Sequence, residues 1–110
     1  MIFDKDGTTT LIYQEKKSLS IFLKNLDEKY SEVKNDNLII NLFSFDTLTS
    51  GDVMEFLDIS NRHRKSGKSF VIVTDKVSYD DVPDEIIVAP TLQEAKDIIE
   101  MEEIERDLEL

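Results

Sequence analysis

Residues 38–73 read LIINLFSFDTLTSGDVMEFLDISNRHRKSGKSFVIV. The run begins and ends in nearly continuous apolar segments of strand length, Leu38–Phe43 and Phe70–Val73. Strands without polar alternation suit a sheet covered on both faces. Between them Val53, Phe56, Leu57 and Ile59 recur at helical spacing, which predicts one helix from about Gly51 to Ser66. Arg64 and Lys65 suit the negative end of its dipole, and Gly67 suits the residue after its cap. Strand, helix and strand in this order predict parallel pairing through a right-handed crossover.

The same alternation extends both ways. Upstream, Leu19, Phe22, Leu23, Leu26, Tyr30 and Val33 form one apolar helical face, with Ser18 as its cap and Asn35-Asp36-Asn37 as its end. Before it, Met1–Phe3 and the β-branched run Thr8–Tyr13 flank Asp4-Lys5-Asp6-Gly7, which reads as the turn of a hairpin. Downstream, Ser78–Asp84 is polar and broken by Pro83. Glu85–Ala89 is a short third parallel strand, and Thr91-x-x-Glu94 is a capping box opening a last helix with Leu92, Ala95, Ile98 and Ile99 inward. The fold class is α/β: an N-terminal β-hairpin and a mostly parallel mixed sheet with helices packed on it. Residues 1–110 make one domain, and about 100–110 form an acidic helical extension or tail. There Met101, Ile104, Leu108 and Leu110 interleave with acids, and the first three share a stripe expected to pack back on the domain.

Composition excludes several function classes. The net charge of −11 disfavours nucleic acid and anionic membranes as partners. Without cysteine there is no disulfide or thiolate zinc site, and the single histidine, His63, cannot found a His-rich metal centre. His63 is expected on the surface, in the basic cluster Asn61–Lys65 with Lys68. No leader or membrane-length apolar run is visible, so the expected compartment is the cytoplasm.

The middle run resembles the STAS domain, named for sulfate transporters and anti-sigma factor antagonists. Thr49-Ser50-Gly51 falls at that family's Ser-Ser-Gly loop. Asn61–Lys65 and Gly67 fall at its basic helix tip and glycine, and Thr91–Ala95 resembles the start of its last helix. The resemblance covers about residues 1–100, with the third helix of the family reduced to Ser78–Asp84. It implies a non-enzymatic protein–protein interaction or regulatory module without cofactor or metal, and Ser50, with Thr49 beside it, at the phosphorylation switch. The implied docking face is Asp46, Leu48 and Gly51, with Asp52, Val53, Met54 and Leu57 on the following helix. The sequence departs from the family where Leu48 replaces the loop aspartate and Asp52 already places an acid beside Gly51. The partner would be another protein, such as a kinase-type regulator, with the chain itself a monomer or homodimer. The chain is also similar to small ones labelled ribonuclease Z. That chemistry needs two zinc ions on many histidines, so this likeness implies only a companion of the nuclease.

A second reading comes from Ile2–Thr8, which resembles the first motif of the haloacid dehalogenase phosphatases. Asp4 and Asp6 would be nucleophile and acid–base, and Thr74, Lys76 and Asp80-Asp81 would complete a magnesium site. The spacing opposes it, because only three residues separate Lys76 from Asp80. A calcium loop from Asp4 through Asp6 to Glu15 fails because Thr9 takes the position that requires glycine.

Overall fold

A computed structural model describes residues 1–14 and 18–109. Glu15 and Leu110 lie outside them, so the calcium-loop geometry and the last apolar position of the tail are not described.

Five strands form one sheet in the order of the chain. Strand β1 (Ile2–Asp6) pairs antiparallel with β2 (Thr9–Tyr13). Strands β3 (Asn37–Asn41), β4 (Phe70–Val73) and β5 (Ile87–Ala89) follow in parallel. The hairpin turn is shorter than the sequence suggests. Asp6 pairs with Thr9, so Asp4-Lys5-Asp6 belongs to the strand and only Gly7-Thr8 turns. Gly7 makes this possible with φ +62°.

Helix α1 (Leu19–Val33) starts at Ser18, whose Oγ accepts the Ile21 N–H, and buries Phe22, Leu26 and Val33. The helix expected over 51–66 is two helices, α2 (Ser50–Met54) and α3 (Leu57–Lys65). The Glu55 and Phe56 amides bond three residues back, to Asp52 and Val53, which tightens the turn. The step seats Phe56 in the core, edge-on to Phe22 at 6.0 Å between ring centroids. Gly67 ends α3 at φ +90°, with its N–H on the Arg64 carbonyl.

Strand β3 also stops earlier than the apolar run. The Phe43 amide donates to Asn41 Oδ1 at 3.0 Å, and the chain leaves the sheet with Phe43 exposed. Ser78 caps a single 3-10 turn, Tyr79–Asp81, where the family would have a third helix. Strand β5 is reduced to three residues because Ile86 turns back onto the Pro83 carbonyl. Helix α4 (Leu92–Leu108) starts at Thr91, whose hydroxyl accepts the Glu94 N–H.

Consecutive right-handed crossovers put α1, α2 and α3 on one face of the sheet. Their core joins Phe22, Leu26, Val53 and Phe56 to Ile12, Leu38, Ile40 and Ile72. The chain then returns over the other face, where Ala95 and Ile99 of α4 cover Ile39, Val71, Val73 and Ala89.

Candidate functional site: the β3–α2 loop

The loop lies at the end of the parallel strands where β3 delivers the chain, and α2 begins within it. Thr49 is the N-cap. Its Oγ1 accepts the Asp52 N–H at 3.1 Å, and its own N–H donates to Asp52 Oδ2 at 3.0 Å. This reciprocal pair is a capping box. Asp52, absent at this place from the family's motif, is therefore the return half of the cap. Thr49→Ala should lower stability by about 1 kcal/mol in urea denaturation, the usual worth of such a cap.

Because Thr49 supplies the cap, Ser50 is free of that duty. It is the first residue of α2 and half-exposed. Among the described residues its hydroxyl has no partner. Gly51 keeps the neighbouring surface low. A Cβ there would meet only Thr49 Oγ1, at 3.6 Å, so the fold itself does not require glycine.

The expected docking residues divide by burial. Asp46, Gly51 and Met54 are exposed, and Asp52 and Leu57 are half-exposed. Met54, at 40% exposure, points outward, as a docking role requires. Leu48 (7%) and Val53 (0%) do not belong to the face. Both are in the core beneath the loop, where they hold its base on Phe22 and Phe56. Phe43, just beyond β3, is 45% exposed. Sequence reading placed it in the strand, and the missed signal was Asn41, whose side chain caps the strand end.

Two other expectations are corrected, those for His63 and for the stripe on α4. His63 is fully buried. Its Nε2 lies 2.7 Å from the Asp36 carbonyl and its Nδ1 2.7 Å from the Tyr30 hydroxyl. The carbonyl can only accept, so Nε2 carries the proton and Nδ1 accepts from Tyr30. Burial holds the imidazole below its ordinary pKa and the Tyr30 phenol above its own. Ser66 donates to the His63 carbonyl rather than to its ring.

The basic tip has Asn61, Arg62 and Lys65 exposed, and its two arginines also pair within the domain. Arg62 lies 3.2 Å from Asp27 and over the Tyr30 ring, and Arg64 lies 2.6 Å from Glu102. Second, α4 continues through the acidic segment, but its stripe does not pack back. Met101, Ile104 and Leu108 are 62%, 54% and 81% exposed. Polar side chains hold this half of α4 instead. Glu102 accepts from Arg64 and from Ser69 at 2.6 Å, and Arg106 reaches Ser69 and Asn37.

The phosphatase constellation is not assembled. Asp4 and Asp6 lie on the edge strand β1, beside α4. Thr74, Lys76 and Asp81 line a separate hollow beyond β4, with β2 and β3 intervening. Among the described residues no three His, Asp or Glu side chains converge as metal ligands. No helix among them is long and apolar enough to cross a membrane.

No family model matches the chain, and no curated protein matches it. Solved structures do. RsbS from Moorella thermoacetica, in a serine-to-glutamate variant, superposes with a TM-score of 0.59 at 16% identity, over 89% of this chain and 95% of that one. A chain from the molecular architecture of the stressosome, described as a signal integration and transduction hub, superposes with a TM-score of 0.59 at 17% identity, over 90% and 96%. A likeness over about nine-tenths of the chain makes the fold of this chain STAS-like.

Proposed function

We propose that the chain is a non-enzymatic protein–protein interaction module of the STAS type, acting in the cytoplasm and switched by phosphorylation of Ser50. The observation that carries this reading is the half-exposed Ser50, relieved of capping by Thr49, one turn before the exposed Met54 on the same short helix. An exposed apolar side chain one turn from a modifiable hydroxyl suits a face that docks a partner in one charge state and rejects it in the other. Phosphate would add about −1.5 to −2 charges. The Asp52 carboxylate, already held at the cap, would add like charge beside it. A partner packed on Met54 would then be excluded by repulsion and by the cost of stripping water from the phosphate. The docking face is Asp46, Gly51, Asp52, Met54 and Leu57. The likeness to RsbS and to a chain of a signalling hub supports the same reading, and one of those structures carries glutamate in place of a serine.

Tagged wild-type protein, Ser50→Ala and Ser50→Asp should be used to capture partners from native extract, with quantitation by mass spectrometry. One partner should come down with wild type and Ser50→Ala. It should fall about tenfold or more with Ser50→Asp, equivalent to 1.4 kcal/mol. Equal capture by all three would refute the switch.

A further inference from the structure

The two faces of the sheet are unequally covered. Five strands about 4.8 Å apart make a sheet on the order of 20 Å wide, and a packed helix covers about 10 Å of it. One face has α1 and the α2–α3 pair. The other has α4 alone, packed on β3, β4 and β5. Over β1 and β2 this second face is open. Leu11 is half-buried there and Ile2 is 43% exposed. Between the open strands and the flank of α4 runs a groove of about 450 Å³. Its floor is the half-buried Leu11 over Ile39 and Ile99, which are 1% and 2% exposed.

The walls are acidic. Asp4 and Asp6 stand on β1, and Glu100 and Glu103 on α4. Among the described residues none of the four is in an ion pair. Among the described residues two cations, Lys5 and Lys96, also line the groove, and the Lys5 ammonium is drawn to Asp36, 3.3 Å from Oδ1. An apolar floor the width of one helix, between two rows of carboxylates, is complementary to a helix with one aliphatic face and lysine or arginine along its flanks. A second copy of this chain would oppose acid to acid. We propose that this groove docks a basic amphipathic helix of a partner protein, which completes the helical layer over β1 and β2. The site lies on the face opposite α2, so it is independent of the Ser50 reading.

The test uses the whole chain, labelled with nitrogen-15, and a synthetic amphipathic helical peptide with leucine on one face and lysine on the other. Amide shifts are expected in residues 4–11 and 96–103. Affinity should weaken about tenfold when Asp4→Asn, Asp6→Asn, Glu100→Gln and Glu103→Gln are combined, a loss of 1.4 kcal/mol. These changes are on the surface, and an unchanged melting curve shows that the fold survives them. Ser50→Asp should leave the affinity as it is. Several results would overturn the proposal: shifts confined to Met101, Ile104 and Leu108 or to the β3–α2 loop, equal binding by the neutralised variant, or equal binding of a glutamate-for-lysine peptide. So would sedimentation of the protein alone as a dimer that Leu11→Lys dissociates, which would assign the groove to a second copy.

Discussion

Glu102→Ala will lower the unfolding free energy by about 3 kcal/mol, because it leaves Arg64 partly buried without its counter-charge. The side chains of Arg64 and Glu102 are 28% and 17% exposed, well below the exposure of a surface pair, and their closest atoms are 2.6 Å apart. Glu102 also accepts from Ser69 at the head of β4, and Arg106 bonds that same Ser69 and Asn37 at the head of β3. The pair therefore joins the two helical layers around one end of the sheet. Beyond Ile99 the next apolar residues of α4 all face solvent, so this polar clasp is what holds the helix down. The expected result has two parts: an earlier urea midpoint, and faster hydrogen exchange in residues 103–108 than in residues 92–99. A loss under 1 kcal/mol, or uniform exchange along α4, would contradict it. Burial alone would raise the Glu102 pKa, but hydrogen bonds from Arg64 and Ser69 and the charges of Arg64 and Arg106 hold it below the ordinary value. A carboxylate lowered in the folded state contributes stability that is present above pH 4.5 and lost as pH falls through the folded value. The acid limb of the stability profile should therefore flatten in Glu102→Gln.

The clasp also shows why part of this molecule was readable from its sequence and part was not. Ile39, Ile40, Val71 and Ile72 form runs whose only stable place is inside a covered sheet, and the capping residues Ser18 and Thr91 mark helix starts through local bonds. Such signals are local, and the element order followed from them. The α2–α3 break left no such mark, because Glu55 and Phe56 keep right-handed helical dihedrals and only shorten their hydrogen bonds. The outward turn of Phe43 depended on one side-chain bond from Asn41. Met101, Ile104 and Leu108 have the spacing of a packed stripe, yet Ile99 and Glu102 face the sheet and the stripe falls on the opposite side. Periodicity identifies a face but not what the face meets. At the candidate site the same limit separated Met54, which is exposed, from Val53, which is core.

His63→Leu will lower stability by about 3 kcal/mol at neutral pH, since it leaves the Asp36 carbonyl and the Tyr30 hydroxyl without their partner. The ring sits edge-on to both Tyr30 and Phe70, at 5.5 and 6.1 Å between centroids, so leucine cannot restore the packing either. A histidine among arginines and lysines at a helix end reads as surface, and α3 indeed carries Arg62, Arg64 and Lys65 toward solvent or ion pairs. Position 63 falls on the opposite side of that turn, next to the buried Ile59 and Ser60. There the imidazole ties α3 to α1 at Tyr30 and to the α1–β3 connection at Asp36, and accepting the Tyr30 hydroxyl at Nδ1 requires the neutral ring. Desolvation by burial lowers its folded pKa, with Lys68 and Arg64 adding to it against the Asp36 contacts. The unfolded chain thus takes up the proton first, near pH 6.5, and unfolding is favoured from there down to the folded value. This is the chain's single histidine, and no other side chain ordinarily titrates between pH 5 and 6.5. Urea midpoints measured at close pH intervals should fall across that window in wild type and remain level in His63→Leu. A wild-type profile already level there would mean that the ring keeps its proton in the fold. The Asp36 carbonyl would then still accept from Nε2, and the Tyr30 hydroxyl oxygen would accept from Nδ1.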